Sequence, residues 1–327
     1  MKLASYARDG RARIGFIVGE YLLDVHDVLS RTNTNGNSPV ATDADIHAWI
    51  EGGDAAWKVL RAAADSVADL DVPRHALRDM TLLPAVQRPS KICCLALNNS
   101  ANADRIMSGP KHPAIFTKPS SALVGHGGAI RLKPHYGRVH PEPELALIIG
   151  QGGADIPAER AYEHVFGYTA HNDLTSPTMR GEDTFHYRAI HPAEGAAEGV
   201  RYVDSHVSYP GRYKGADTFS ALGPWIVTRD EIPDPHALDI ECHVGEERYA
   251  SDNTANLFHK TPEVIAFVSS FMTLFPGDVI SLGTALAAGG KPGRAVQNAD
   301  LNQMQGPVSV TIERIGKLSN PIQHSGR

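Results

Sequence analysis

Two glutamates open an apolar run in the middle of the chain: His140-Pro141-Glu142-Pro143-Glu144 leads directly into Leu145-Ala146-Leu147-Ile148-Ile149-Gly150. Side chains alternate along a strand, so Glu142 and Glu144 project from the same face, roughly 7 Å apart along the chain. Carboxylates that close raise each other's pKa unless a cation neutralises them, which is why such a pair suggests a hard divalent ion; a solvated strand edge is the alternative. Gly167 to Asp173 reads as a second strand ending in an acid, and Asp173 would complete an all-oxygen triad, although Asn172-Asp173 also suits a turn or helix cap. His140 and His171 each lie two residues before one of these carboxylates on the same strand face. Both are candidates for acid–base work or for supporting positions beside the acids.

A frame of strands and turns must hold these groups. The 30 glycines and 22 prolines among 327 residues make about 16% of the chain against a usual 12% or so. That surplus argues against a helix bundle and for a turn-rich, strand-rich globule. Ala12 to Val18 and Tyr21 to Val25 read as a hairpin about Gly19-Glu20. Asp54 is placed to cap an Ala-rich helix carrying Trp57, Val59, Leu60 and Val67, and a boundary near Arg88-Pro89 separates a small N-terminal domain (1–88) from a larger one (89–327). Beyond it, Lys91–Leu97, Ala114–Lys118, Glu144–Ile149 and Val308–Ile312 read as short strands of a mixed or antiparallel architecture. Two helices interrupt them: Pro157–Phe166, stopped by Gly167, and Pro262–Leu274, capped by Thr261 with an apolar face of Val264, Ile265, Val268, Phe271 and Met272. Strict βαβ alternation and glycine-rich phosphate loops are missing, which removes most support for a nucleotide-binding fold.

The 31 Lys and Arg against 37 Asp and Glu leave a charge of −6, the wrong sign for neutralising a phosphate backbone, so no nucleic-acid partner is expected. No run approaches the roughly 18 apolar residues of a membrane span, and the charged N-terminus does not read as a signal peptide. Three cysteines, two of them the neighbours Cys93 and Cys94, suit a reducing cytoplasm. With no C-x-x-C or H-E-x-x-H spacing, a metal site here is expected to be built from oxygen.

A series of blocks in fixed order resembles the fumarylacetoacetate hydrolase family. They are Ile115-Phe116-Thr117-Lys118-Pro119-Ser120-Ser121-Ala122-Leu123, Glu142 to Gly150, Gly167-Tyr168 to Asn172-Asp173, Asp217-Thr218-Phe219 to Gly223-Pro224-Trp225-Ile226-Val227-Thr228, Pro276-Gly277-Asp278-Val279-Ile280 and Gly283-Thr284. They cover roughly Lys91 to Pro321, and the opening segment resembles the small N-terminal domain of bacterial members. The resemblance implies an α+β, β-rich fold, a mixed β-sandwich roll with a small N-terminal domain, as a homodimer. It implies Mg2+, with Mn2+ or Ca2+ as alternatives, on Glu142, Glu144 and Asp173. It also gives Lys214 the place of the family's active-site lysine, and Gly283 and Thr284 the loop that contacts a small oxo-acid substrate. The expected activity is hydrolysis of a C–C bond in a β-diketo or 2,4-dioxo acid.

Three departures qualify that expectation. Hydrolytic members carry Asn-Tyr-x-x-His-x-x-Glu after the first strand of the large domain, and that His/Glu pair activates water. Here the segment reads Asn98-Asn99-Ser100-Ala101-Asn102-Ala103-Asp104-Arg105, with Asn102 and Arg105 in the two places, neither of which is a base at neutral pH. Pro177 stands where the family has a substrate-binding Arg, which leaves Arg180 to offer that cation, and Ala285 replaces the proline of the Gly-Thr-Pro loop. The alternative is therefore a decarboxylase, tautomerase, isomerase or hydratase on a 2-oxo acid using the same metal, and a purely structural ion is a third reading. The connection from Arg180 to Gly211 is long enough to fold over the pocket as a lid.

Overall fold

The computed structural model describes residues 1–32, 38–103, 106, 109–287 and 295–326. The chain opens with a meander, β1 (Lys2–Arg8), β2 (Arg11–Val18) and β3 (Tyr21–Asp24), followed by α1 (Val25–Arg31), α2 (Ile46–Glu51), α3 (Gly53–Ser66) and β4 (His75–Ala76). Then come β5 (Ile92–Ala96), β6 (Ala114–Lys118), β7 (Leu123–Val124), β8 (Ile130–Leu132), β9 (Pro143–Ile149) and β10 (Val165–Asp173). Next are α4 (Pro177–Glu182), β11 (Thr184–Pro192), β12 (Val200–Ser208), α5 (Gly211–Gly215) and β13 (Ser220–Thr228). The last elements are β14 (Asp239–Val244), β15 (Glu247–Asn253), α6 (Thr261–Ser269), β16 (Val279–Thr284), β17 (Val308–Ile312), β18 (Gly316–Asn320) and β19 (Ile322–His324).

The main sheet runs β4-β3-β2-β1-β13-β10-β9-β16-β5-β6, antiparallel except where β16 lies along β5. It also curls, because β7 follows β6 closely and pairs in parallel with β13, returning the far edge of the sheet to its middle. Every residue of β9 is buried, and the strand divides its side chains between two layers. Leu145, Leu147 and Ile149 pack with Ile240, Val310, Ile312 and Leu318 of a second sheet, β15-β14-β17-β18, and with Val264, Ile265 and Val268 of α6. Ala146 and Ile148 join Phe16, Leu29, Trp49 and Leu60 of the N-terminal segment. This makes a mixed, sheet-rich α+β sandwich with helices on the outer face, and double burial explains why β9 reads as an unbroken apolar run. Among the described residues no helix is long and apolar enough to cross a membrane.

Several boundaries differ from the sequence reading. Val25 starts α1 instead of ending β3, with Asp24 as its cap, and Gly52 rather than Asp54 precedes α3. Thr261 is the first residue of α6, whose cap is Lys260; the helix ends at Ser269, leaving Phe271 exposed. The expected helix over Pro157–Phe166 is a run of 3-10 turns over Ala158–His164, and Val165 and Phe166 already belong to β10. Gly167 is accordingly a strand residue, and close approach is what requires glycine there. A Cβ at this position would stand 2.5 Å from the Val227 carbonyl oxygen and 2.6 Å from Ile226 Cγ2. Gly167→Ala is expected to cost about 1–3 kcal/mol of stability by overpacking, read as a lower urea midpoint; an unchanged midpoint would refute this close contact.

Between α4 and α5 the long connection forms a hairpin, β11 against β12, paired over its whole length and, among the described residues, bonded to no other strand. Its odd-numbered face carries Phe185, Tyr187, Ala189, Val203 and Val207, with Phe185 and Tyr187 exposed.

Candidate active site

Four strand ends meet at one margin of the main sheet. β9 begins beside Glu142 and Glu144, β10 ends at Asp173, β13 begins at Ser220 opposite Asp173, and β16 ends at Thr284 opposite Glu144. Two hydrogen bonds clamp Glu142 to β10: the Asp173 amide donates to its carbonyl (3.0 Å), and its own amide donates to Asn172 Oδ1 (3.0 Å). Glu142, Glu144 and Asp173 can each offer an oxygen such that all three atoms lie within 4.8 Å of one another. Asp173 and Glu144 are enclosed, and the Glu142 side chain keeps 20% of its exposure.

Two lysines answer that charge. Lys214, buried at the end of α5, donates 2.6 Å to Glu142 Oε2 and 2.6 Å to Asp173 Oδ2, with its ammonium 4.8 Å from the centre of the Phe116 ring. Lys118, delivered by the curl of the sheet and fully enclosed, bonds Asp173 Oδ1 and the Phe219 carbonyl (2.6 Å). Lys118 stood within a matching block, yet the sequence reading gave it no role. Its signal was a lone cation closing an apolar strand, where an unpaired charge is costly.

The electrostatics follow from that inventory. Burial pushes the Asp173 carboxyl up, but Lys118 and Lys214 outweigh it and hold the group below the usual carboxylate range. Burial drives the Lys214 ammonium down, while Asp173, Glu142 and Glu144 more than reverse this, and the net direction is upward. Glu144 goes the other way: burial first, then the negative charges of Asp173 and Glu142, raise its pKa well above the ordinary value. Three carboxylates against two ammoniums leave one negative charge in excess. A compact cluster of hard oxygen donors short of positive charge fits a divalent cation of the Mg2+, Mn2+ or Ca2+ kind, held by Glu142, Glu144 and Asp173.

His171 has a different place from the one expected of a catalytic base. It is wholly enclosed, Nδ1 is 2.7 Å from Ser281 Oγ, and Nε2 is 2.8 Å from Ser220 Oγ. Ser281 donates its own proton to Glu144 Oε2 at 2.5 Å, so its oxygen must accept from Nδ1–H, and Nε2 then accepts from Ser220. The ring is neutral, its pKa lowered to about 3 chiefly by burial. Both ring nitrogens of His171 are thus taken up by serines, and its contact towards the acids runs to Glu144 through Ser281. Neither serine was singled out from sequence, since a hydroxyl inside an apolar strand carries no signal until its partner is known.

His140 bridges in backbone to Thr175, and its Nδ1 lies 3.9 Å from Glu142 Oε1, at the rim of the cluster. Gly283, at φ +87°, donates its amide to Glu144 Oε2 (3.2 Å), and Thr284 follows with its hydroxyl buried and unpartnered. Arg180 sits exposed on α4 and is not brought to the cluster; among the described residues the cations bonded to the three acids are Lys118 and Lys214. Asn102 is buried and spends its amide on the Leu97 carbonyl (2.8 Å), a structural bond. Asp104 and Arg105 lie outside the described residues.

Comparison with known proteins bears on the whole arrangement. The family model for the fumarylacetoacetate (FAA) hydrolase C-terminal domain matches residues 91–323. A mitochondrial oxaloacetate tautomerase of Bos taurus is 33% identical over 277 residues, 84% of this chain and 78% of that protein. Among solved structures, the fumarylacetoacetate hydrolase of Exiguobacterium antarcticum superposes with a TM-score of 0.68 at 28% identity, over 99% of both chains. A maleylpyruvate hydrolase from Sphingobium sp. SYK-6 gives 0.69 at 26% identity, over 99% of this chain and 100% of that one. The curled sheet, the order of its blocks and these matches lead to one statement: the chain belongs to the fumarylacetoacetate hydrolase family.

Proposed function

We propose that the protein is a divalent-metal-dependent enzyme that moves a proton between the keto and enol forms of a small 2-oxo acid. The carrying observation is that the cluster presents a buried ammonium, Lys214, while the position expected to activate water holds Asn102, whose amide is tied to a carbonyl and has no basic lone pair. The bound ion would supply positive charge to the carboxylate and 2-oxo oxygens of the substrate. Lys214 carries the proton: in ketonisation its ammonium gives one to C3 and the amine so formed takes up the proton that the enol hydroxyl loses, which restores the ammonium; the reverse direction runs the same two transfers backwards. Lys118 and His171 keep Asp173 and Glu144 in place, Glu142 forms the open side, and Gly283 and Thr284 line the rim where the substrate carboxylate approaches. The Bos taurus relative, an oxaloacetate tautomerase, supports this reading. Mg2+ as the native ion, a homodimer and a cytoplasmic setting belong to the same proposal, the last supported by three buried, unpaired thiols.

C–C bond hydrolysis on the same ion is the competing reading, favoured by the structural match to a maleylpyruvate hydrolase. Two assays on Mg2+-loaded protein separate them. The decay of enol oxaloacetate should accelerate at least about 10²-fold over buffer and stop on chelation. An acylpyruvate incubated in 18O-labelled water should release no labelled acid; label appearing at a comparable turnover would establish hydrolysis and overturn the tautomerase reading.

A further inference from the structure

A cavity of about 260 Å3 lies where β8 and β19 pair, with Leu132 and His324 as neighbours in that ladder, and none of the three acids of the metal cluster lines it. Its walls carry two opposite charges, Arg138 and Asp300, and among the described residues neither takes part in an ion pair. Arg138 spends one side-chain nitrogen on the Gln297 carbonyl, while Asp300 uses Oδ1 for the amides of Val139 (3.4 Å) and Asn302 (3.1 Å). The rest of the guanidinium and Asp300 Oδ2 are left over. His324 adds an acceptor: its Nε2 stands 3.1 Å from the Met304 carbonyl and must carry a hydrogen, so Nδ1 of the neutral ring is a lone pair, and that atom is buried without a partner. A buried acceptor left unmade is costly, and such atoms persist in folded proteins when something else completes them.

The three groups together select the occupant. A guanidinium fork takes a carboxylate through two parallel hydrogen bonds, whereas Asp300 Oδ2 and His324 Nδ1 both call for donors, and an ammonium carries three. An anion alone is repelled by Asp300, and a cation alone by Arg138. We propose that this cavity binds a free α-amino acid, its carboxylate on Arg138 and its ammonium shared between Asp300 and His324. The volume falls below the roughly 300–1,000 Å3 of pockets for drug-sized ligands, which suits so small a molecule. The site is independent of the reaction run at the metal cluster.

Calorimetry on the Mn2+-loaded protein with L-alanine, propionate and isopropylamine tests each half of the ligand. L-Alanine should bind once per chain and at least about tenfold more tightly than either half molecule, since each half forfeits a charged, hydrogen-bonded contact. Arg138→Gln and Asp300→Asn should each weaken L-alanine by about tenfold or more while Mn2+ affinity and the melting temperature stay as they are. Arg138 is exposed, so its variant keeps the test clear of folding defects. Glu142→Gln should bind L-alanine as the unaltered protein does, which separates this cavity from chelation at the metal cluster. Propionate or isopropylamine binding as tightly as L-alanine would overturn the proposal in favour of a site for a single charge. No binding of L-alanine, or binding lost in Glu142→Gln and kept in Arg138→Gln, would overturn it outright.

Discussion

Asp173→Asn is expected to abolish divalent-ion binding and to lower kcat/KM by about 10³-fold or more, since it takes from one of the three proposed ligands the charge that two lysines answer. Calorimetry with Mn2+ reads the binding directly, and undiminished affinity would refute the assignment of the centre. The substitution also strands Lys118, fully enclosed, beside a neutral amide, which costs roughly 3–5 kcal/mol of stability. Glu142→Gln is the companion variant: its side chain is the most open of the three, and Asp173 keeps both lysines, so it should weaken the ion while the fold melts as before. Ion affinity should also fall as the pH is lowered. Burial and the charges of Asp173 and Glu142 raise the Glu144 pKa, so protons compete with the cation for that carboxylate at a higher pH than they would for an ordinary glutamate.

Lys214→Met is expected to separate two properties that Asp173→Asn removes together. The ammonium is a cation already bonded to Glu142 and Asp173, so deleting it should leave ion affinity equal or tighter. Turnover should nonetheless fall by about 10²–10³-fold, because the proposed proton carrier and its positive charge are gone. The methionine chain keeps the packing over Phe116, which limits structural damage. Loss of ion binding in this variant would mean that Lys214 builds the site and takes no part in the reaction.

How much of this was legible in the sequence depended on how local the cause was. The strands over Ala114–Lys118 and Val308–Ile312 were read to the residue, because an apolar run bounded by turn residues is a local pattern. The same is true of Glu142 and Glu144, whose shared face follows from strand alternation alone. The segment Pro157–Phe166 misled because its apolar spacing suits a helix, whereas pairing of Val165 with Ile149 draws its end into the sheet. Lys118 was hidden for another reason: only the return of β7 to β13 carries it to Asp173, 55 residues further on, and no local pattern encodes that curl. His171 shows the limit of reading a residue type by its usual chemistry. Its position on the strand was correct, but two serines from distant strands decide that it holds a neighbour in place.

The pairing of β1 with β13 joins Lys2 to Val227, so one of the earliest strands to be made is completed by one 225 residues later. At ordinary elongation rates of about 5–20 residues per second, the opening meander waits some 10–45 s on the ribosome with the outer edge of β1 bare. An unpaired strand edge is a template for intermolecular pairing, so that interval is when the nascent protein most needs a chaperone, and a chain stalled before Thr228 would be an aggregation seed.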